Sequence, residues 1–223
     1  MHTIRNLGPG DCAIFFDFDN TITPFDVLDD IVKSFSIDDK WQEFERLWKE
    51  GRIGSRACLE GQLRSVRVSR SQLLDYLLRI KVDPSFHGLL RFLRQAGLRP
   101  VILSDNFAFV IRGILRNNGI SGVKVYANNL RFDRDHLEPV FPHGNNSCRR
   151  CAHCKKKNLL RNKGKKKKIV YIGDGLSDIC PAESSDIVFA KGSLLRHFRK
   201  KKRPCLPFKS LKEVLGYFRG VKF

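Results

Sequence analysis

Three short polar segments stand where apolar runs of the sequence end: DFDNT at 17–21, SDN at 104–106 and GDGLSD at 173–178. In open α/β sheets ligands bind outside the carboxyl ends of the strands, so parallel strands would bring the three segments to one pocket. Crowded carboxylates repel one another unless a hard cation neutralises them, and Mg²⁺ suits one or two carboxylates together with a substrate phosphate. A carboxylate is also a nucleophile that can form an aspartyl-phosphate. The pattern therefore predicts Mg²⁺-assisted chemistry on a phosphate group.

Short apolar runs alternate with amphipathic stretches, and these elements would position the polar segments. Strands are predicted at 13–18, 100–103, 123–127, 169–172 and 187–190, with a small hairpin at 130–132 and 137–140. Helices are predicted at 86–96, 107–117, 155–161 and 210–218. Strands that alternate with helices predict an α/β fold with a doubly wound parallel sheet.

The stretch after the first strand has a different pattern, because apolar residues recur there at spacings of three and four. VLDDIVKSF, WQEFERLWKE and SQLLDYLLRI all show it, which predicts several amphipathic helices. The stretch is too long for an ordinary loop between a strand and a helix. We therefore predict an inserted helical cap domain at 25–81 and an α/β core domain formed by 1–24 and 82–223.

The 223-residue chain has a formal net charge of +19, and its 42% of hydrophobic residues excludes a disordered or fibrous protein. Residues 148–168 contain eleven Lys and Arg and no acid, and residues 191–203 contain seven and no acid. A basic patch attracts any anion, a small phosphorylated substrate included. The runs 165–168 and 199–203 within these stretches therefore suit a solvated face or an anion-attracting rim, and nucleic acid is not expected as a partner without a recognised binding motif.

The sequence also bears on the compartment. No apolar run reaches 18 residues, which excludes an ordinary transmembrane helix and a membrane partner. The first twenty residues lack an apolar segment followed by a small-residue cleavage site, so no signal peptide is expected. We expect a cytoplasmic protein, and the seven cysteines, an odd number, argue against a disulfide framework.

The motifs DFDNTIT, LSDN and GDGLSD, in this order, resemble those of the haloacid dehalogenase (HAD) superfamily of phosphatases with an aspartate nucleophile. The resemblance covers nearly the whole chain, because the inserted cap matches subfamily IB, which contains phosphoserine phosphatase. VYANNLRF, EPVFPHGN and CRRCAHCKKKNLL resemble the MtnX-like branch, which includes the phosphatase of 2-hydroxy-3-keto-5-methylthiopentenyl-1-phosphate. The Cys-x-x-Cys-Lys pattern is also similar to phosphoethanolamine/phosphocholine phosphatases. A HAD-like Rossmannoid core is implied.

The resemblance implies catalytic roles for four residues. Asp17 would attack phosphorus, and Asp19 would protonate the leaving alkoxide and then deprotonate the hydrolytic water. Ser104 would hydrogen-bond the transferring phosphoryl group, and Lys155 would offset its charge. Two further lysines of the same run are alternatives for that last role: Lys156 and Lys157.

The resemblance also implies a Mg²⁺ site formed by the same acidic segments. Asp174 would bind the cation together with the Asp17 carboxylate and the main-chain carbonyl of Asp19. Asp178 would complete the metal site by orienting a metal-bound water.

Four motif residues are expected at the substrate. Thr21 would help to position the nucleophile, and Asn106 and Gly175 are assigned to substrate binding by their place in the motifs. Asp105 stands where many relatives carry Gly. An acid at that position would repel the phosphate unless it faces the leaving group or a cation, so we expect it to contact the polar end of the substrate.

The predicted cap offers further substrate contacts. The candidates are Asp26, Arg52 and Arg56, and the two arginines are four residues apart, so they would share a helix face. Ordinary surface charge is the alternative for all three. Trp41 and Trp48 are predicted to be cap core rather than an aromatic cage for a cation.

Three cysteines recur at every third position, Cys148, Cys151 and Cys154, and His143 and His153 are nearby. Three thiolates and a histidine suit a structural Zn²⁺ site. The alternative is a set of reduced thiols that pack a loop above the active site.

Together these features predict a Mg²⁺-dependent phosphomonoester hydrolase that acts on a small phosphorylated metabolite through an aspartyl-phosphate. Two alternatives remain: a phosphotransferase of the same fold, and a basic nucleic-acid-binding protein.

Overall fold

The computed structural model describes residues 12–145, 151–166 and 168–220. The described strands form one sheet in the order β4-β3-β2-β1-β5-β6-β7, and every pairing is parallel except that of β3 with β4. The strands are β1 (Cys12–Phe16), β2 (Val101–Phe107), β3 (Lys124–Asp133), β4 (His136–Val140), β5 (Lys168–Gly173), β6 (Ile187–Ala190) and β7 (Leu206–Pro207). The predicted α/β fold with a doubly wound parallel sheet is confirmed.

The helices fall into two groups. Four lie between β1 and the next core helix: α1 (Val27–Phe35), α2 (Lys40–Lys49), α3 (Ser55–Leu63) and α4 (Arg70–Leu78). Six more lie along the remainder of the chain: α5 (Ser85–Gln95), α6 (Ala108–Asn117), α7 (Lys155–Lys163), α8 (Ile179–Glu183), α9 (Gly192–Lys200) and α10 (Leu211–Arg219). No helix among the described residues is long and apolar enough to cross a membrane.

The central strand β1 is buried on both of its faces. Ile14 and Phe16 belong to the core that α5, α6 and α10 cover, whereas Phe15 belongs to the core on the opposite face, against α7, α8 and α9. Burial on both faces explains why this run is apolar without alternation, as parallel strands commonly are.

The ends of β1 and β2 differ from the predicted ones. β1 stops at Phe16: the backbone N–H of Asp17 still makes a hydrogen bond of 2.8 Å to the carbonyl of Ile172 in β5, and the chain then turns. Asn20 is in the left-handed region with φ of 53°, which Asn tolerates better than most residues. β2 continues to Phe107, so the segment 104–106 lies within the strand rather than after it. Asp17 and Asp19 therefore belong to a loop, where they can point into a crevice.

Three elements escaped the sequence prediction: β7, α8 and α9. β7 is only two residues long, which is too short for a hydrophobic pattern. α9 buries Leu194 and Phe198 but ends in a basic last turn. The basic run 199–203 covers the last two residues of α9 and the three that follow it, and all five are exposed. Positive charge is favourable at a helix C-terminus.

The helices α1–α4 fall within the segment predicted to be a cap. Asp26 caps α1 by accepting a hydrogen bond from the backbone N–H of Asp29, and Ser69 forms a capping box with Gln72 at α4. The buried apolar residues of α1, α3 and α4 belong to the same cluster as one face of the sheet. The domain boundaries at 25–81 stay a prediction.

Candidate active site

The polar segments that follow β1 and β5 meet the polar end of β2 in one pocket. The three strands are neighbours in the sheet, with β1 between the other two, so their carboxyl ends share one edge. The pocket is lined by these segments, by Lys155 and by α1–α3: Asp17, Asp19, Asn20, Asp26, Leu28, Asp29, Glu45, Trp48, Ser55, Cys58, Leu59, Gln62, Ser104, Asp105, Asn106, Lys155, Asp174, Gly175, Leu176 and Ser177.

Lys155 connects the first and third segments at the bottom of the pocket. Its Nζ lies 2.6 Å from Asp17 Oδ1 and 2.7 Å from Asp178 Oδ1, and all three side chains are almost completely buried. Burial alone would lower the pKa of Lys155, but the carboxylates of Asp17 and Asp178 hold it well above its ordinary value. Lys156 is exposed, and Lys157 donates to the carbonyl of Gly144. Of the three lysines, Lys155 is the one that lines the pocket.

Asp178 has its carboxylate fully occupied by hydrogen-bond donors. Oδ1 accepts from Lys155 and from the hydroxyl of Tyr171 at 2.7 Å. Oδ2 accepts from the backbone N–H groups of Asp174 at 3.0 Å and Gly175 at 2.9 Å. A carboxylate offers about four acceptor positions, so these bonds use its capacity. Asp178 therefore orients the lysine and the 174–175 backbone, and it does not line the pocket.

One carboxylate oxygen each of Asp17, Asp174 and Asp178 lies within 4.8 Å of the others. Because Asp178 is already saturated with donors, Asp17 and Asp174 are the two carboxylates of this group that could bind a divalent cation. Asp174 Oδ1 accepts a hydrogen bond of 3.0 Å from the Thr21 hydroxyl, so Thr21 orients this carboxylate and does not itself line the pocket. Burial, with the charge of Asp178, raises the pKa of Asp17 well above its ordinary value and that of Asp174 to about 7. This excess of negative charge and an all-oxygen donor set fit Mg²⁺.

Asp19 is held in place by residues of β2 and α1. Asn106 Nδ2 lies 3.0 Å from its Oδ1 and 3.1 Å from its Oδ2, and the backbone N–H of Val27 donates to Oδ1. The Ser104 hydroxyl approaches Oδ2 at 3.4 Å. Burial and then the charge of Asp26 raise the pKa of Asp19 well above its ordinary value. Asn106 thus lines the pocket while holding the carboxylate that was expected to act as acid and base.

Asp105 also lines the pocket, in a different environment. Its Oδ1 is buried and has no hydrogen-bond partner among the described residues. Burial raises the pKa of Asp105 to about 6, against the opposing effect of Lys155. Gly175 lines the pocket as well, and its backbone N–H is bonded to Asp178.

Of the three substrate contacts predicted in the cap, one lines the pocket and two do not. Asp26 lines the pocket from the first turn of α1. Arg52 and Arg56 do not line it: they pair with Glu50 and Glu60, and their side chains are 64% and 62% exposed. The expectation that the arginines share a helix face was wrong, because α3 begins only at Ser55 and Arg52 precedes it. The structure therefore does not bring these arginines to the pocket.

The proposed zinc ligands are only partly described. Cys148 lies outside the described residues. Cys154 is buried and accepts a long hydrogen bond from Asn145 Nδ2 at 3.8 Å, and the His143 ring packs against Tyr126. Within the described ranges, the group close enough to hold a metal consists of carboxylates and includes neither His143, Cys151 nor Cys154. The zinc site stays a prediction without structural support.

Two pocket residues, Asp29 and Glu45, were not singled out from the sequence, and Trp48 was predicted to be cap core. All three line the wall that α1 and α2 form. Trp48 is half-buried against the pocket instead of being part of the core, and no residue of α2 is buried. The acidic first turn of α1 was visible in VLDDIVKSF, but which face of α2 meets the pocket depends on tertiary packing.

A model of the family described as Putative Phosphatase matches residues 12–199 of the chain. The chain is 26% identical over 209 residues to 2-hydroxy-3-keto-5-methylthiopentenyl-1-phosphate phosphatase of Bacillus velezensis, which covers 90% of this chain and 87% of the relative. It is also 26% identical over 197 residues to the phosphoserine phosphatase of Bos taurus, covering 86% and 87% of the two chains.

Solved structures give the same fold. A phospho-aspartyl intermediate analogue of phosphoserine phosphatase superposes with a TM-score of 0.72 at 18% identity, covering 95% of this chain and 99% of that one. A HAD family hydrolase from Salmonella enterica superposes with a TM-score of 0.74 at 17% identity, covering 94% and 71%. At such identities the likeness bears on the fold alone.

Proposed function

The chain belongs to the Putative Phosphatase family and is a phosphatase of the HAD superfamily, and we propose that it hydrolyses a phosphate monoester of a small metabolite through a phosphorylated Asp17, with Mg²⁺ as cofactor. The observation that carries the proposal is the buried pair in the pocket, in which Lys155 Nζ lies 2.6 Å from Asp17 Oδ1. A lysine beside a buried carboxylate allows a dianionic phosphate to approach an anion that would otherwise repel it.

In the first step Asp17 acts as the nucleophile. Its free carboxylate oxygen forms a bond to phosphorus while the bond from phosphorus to the leaving oxygen breaks. Asp19 gives its proton to that oxygen, so the product leaves as a neutral alcohol. The raised pKa of Asp19 supports this role, because a carboxyl group buried beside Asp26 holds its proton to higher pH than an exposed one.

In the second step Asp19 acts as a base. It takes a proton from a water molecule, whose oxygen attacks phosphorus, and the bond between phosphorus and Asp17 breaks to give inorganic phosphate. Asn106 supports this reversal because its amide donates to both oxygens of Asp19 and stabilises the ionised form. The Ser104 hydroxyl, which is buried beside Asp19, is placed to hydrogen-bond the phosphoryl group during both transfers.

The residues that would hold Mg²⁺ are Asp17 and Asp174, with the main-chain carbonyl of Asp19. Bound there, the cation supplies the positive charge that lets a phosphate dianion enter a pocket rich in carboxylates. Thr21 holds Asp174 toward the site by its hydrogen bond of 3.0 Å. Asp178 acts from behind, through the backbone and the lysine that it orients.

The wall formed by α1 and α2 favours a leaving group that carries a positive charge. Asp26, Asp29 and Glu45, the acidic wall, line it together with Trp48. Lys155 is the one basic side chain among the described residues that line the pocket, and it is engaged with Asp17 and Asp178 rather than with this wall, where Lys49 pairs with Glu45. An ammonium group would meet carboxylates and an indole ring here, whereas a carboxylate would be repelled.

The test of the function is the release of inorganic phosphate from a panel of phosphate monoesters, p-nitrophenyl phosphate included, with Mg²⁺ and with EDTA. Asp17→Asn should lower kcat by about 10³-fold or more, because the nucleophile is lost. Asp75→Asn makes the same change on an exposed aspartate of α4 and should retain the wild-type rate.

A second variant tests the covalent step. Asp19→Asn removes the base that activates water, so a phosphorylated, hydroxylamine-sensitive protein should accumulate when a reactive ester such as p-nitrophenyl phosphate is supplied. Wild-type turnover by Asp17→Asn would disprove the proposed mechanism. A wild-type protein that hydrolyses no ester of the panel would disprove the proposed function.

A further inference from the structure

The segment 151–155, called the lysine segment, touches three parts of the site. The backbone N–H of Ala152 donates to Ser55 Oγ of α3 at 2.8 Å. His153 Nδ1 lies 2.8 Å from the carbonyl oxygen of Ser104 in β2. Lys155, at the end of the segment, reaches Asp17. The segment is therefore the link through which the strand end, α3 and the buried lysine are held relative to one another.

His153 contributes both nitrogens of its imidazole ring to this link. It is 1% exposed. A carbonyl oxygen only accepts, so Nδ1 carries the proton and donates to Ser104. Nε2 lies 2.8 Å from Asn158 Nδ2, which donates to it. The imidazole is thus neutral, in one tautomer, with both nitrogens hydrogen-bonded.

The electrostatic surroundings keep His153 neutral. Burial lowers its pKa to about 3, and the charges of Lys155 and His143 act in the same direction, against the hydrogen bond to Ser104. Protonation would remove the acceptor that Asn158 needs and would add a second cation two residues from Lys155. The two hydrogen bonds of His153 are therefore intact across the pH range in which phosphatases are assayed.

The two partners of His153 lie where the phosphate would be held. Ser104 carries the hydroxyl assigned to the phosphoryl group, and Asn158 is in the first turn of α7, which begins at Lys155. A lysine side chain has about 2 kcal/mol of rotamer entropy, so its placement depends on how firmly its backbone is fixed. His153 itself does not line the pocket and has no direct path to a substrate.

We propose that His153 is a positioning residue of this phosphatase: by bonding Ser104 and Asn158 at once, it fixes the distance between the β2 strand end and the start of α7, and so holds Lys155 in register with Asp17. The proposal rests on the proposed function. It predicts that changes at His153 act through Lys155 and not through general stability.

Three variants separate positioning from folding. His153→Ala removes both hydrogen bonds, whereas His153→Asn keeps an amide donor near the position of Nδ1. Asn158→Ala removes the donor to Nε2 and leaves the imidazole in place. Outer partners of this kind typically contribute 10- to 100-fold. We expect His153→Ala to lower kcat/KM about tenfold or more and to raise the inhibition constant of inorganic phosphate similarly, with His153→Asn recovering most of the loss and Asn158→Ala intermediate.

The decisive measurement is a double-mutant cycle with Lys155→Ala, whose residual activity is followed with p-nitrophenyl phosphate. If His153 acts through Lys155, adding His153→Ala to Lys155→Ala should change the rate less than twofold. Additive losses, or a His153→Ala protein with wild-type kinetics, would overturn the proposal. Should His153→Ala not fold, the same cycle is run with Asn158→Ala, and additivity there overturns it equally. Wild-type inactivity on every ester would instead reject the proposed function.

Discussion

Asn106 donates its side-chain amide to both carboxylate oxygens of Asp19, at 3.0 and 3.1 Å. These bonds stabilise the ionised form of Asp19 and lower its pKa, against burial and the charge of Asp26, which raise it. The amide therefore lowers the pH at which Asp19 loses its proton. This matters because Asp19 must carry a proton in the first proposed step and must have lost it before the second.

Replacing Asn106 by Ala should raise the pKa of Asp19 further. Hydrolysis of the phosphorylated protein needs Asp19 deprotonated, so that step should slow at neutral pH and recover as the pH rises through the new pKa. We expect the acidic limb of the kcat profile to move to higher pH, and phosphorylated protein to accumulate below it. An unchanged profile, or a shift to lower pH, would contradict the role given to this amide.

Replacing Lys155 by Met should destabilise the fold as well as lower the activity. The change leaves Asp17 and Asp178 buried without their cation, and removing one partner of a buried pair typically costs about 3–5 kcal/mol. Urea unfolding in EDTA measures this loss. Lys156→Met, on the exposed neighbour, serves as the control and should change the free energy of unfolding by less than about 0.5 kcal/mol. Equal effects of the two changes would show that the buried pair is not formed.

Mg²⁺ should raise the melting temperature of the wild-type protein. A ligand at a hundredfold excess over its Kd stabilises the native state by about 2.7 kcal/mol, which for a chain of this size corresponds to a shift of about 5–10 °C. Asp174→Asn should abolish most of the shift, because it removes one of the two pocket-lining carboxylates of the group. Asp75→Asn should keep it. A full shift in Asp174→Asn would place the cation elsewhere.

The acidic wall should discriminate between leaving groups of equal size and different charge. We expect phosphoethanolamine to exceed its neutral isostere propyl phosphate in kcat/KM by about tenfold, and phosphocholine to exceed 3,3-dimethylbutyl phosphate similarly, with phosphoserine the poorest. About 1.4 kcal/mol corresponds to tenfold, within the range of one cation over an indole ring or near a carboxylate.

Two substitutions in the wall should reduce this preference. Asp29→Asn and Glu45→Gln each remove a carboxyl group from the wall, so the ratio between the charged and the neutral ester should fall while the rate on the neutral ester stays. Glu43→Gln changes the exposed face of α2, where Glu43 bonds Arg46, and should leave the ratio intact. If none of the three substitutions alters the ratio, the wall does not contact the leaving group.

The fold and the residues at the floor of the pocket could be predicted from the sequence alone. Asp17, Ser104 and Asp174 stand at the ends of apolar runs, and parallel strands carry such ends to one edge whatever the details of packing. Lys155 was harder to assign, since three lysines are consecutive. The choice among them depends on which side chain the first turn of α7 turns inward, and that is a tertiary property.

The walls of the pocket show where the sequence was insufficient. Arg52 and Arg56 were chosen because their spacing of four residues suggested a shared helix face, but α3 starts between them and both arginines have acidic partners at the surface. Asp29 and Glu45 carried no motif at all. His153 attracted attention as a neighbour of cysteines, whereas its contacts to Ser104 and Asn158 became visible only when strand, loop and helix were assembled.

No residue of α2 is buried, although Glu45 and Trp48 project from it onto the pocket. Because α2 lines the pocket but contributes no buried residue, core packing constrains its side chains less than those of the sheet. Substitutions in α2 can therefore change the substrate preference at a small cost in the free energy of unfolding. We therefore expect substrate selectivity to change most readily through substitutions in this helix, both as related proteins diverge and in directed evolution.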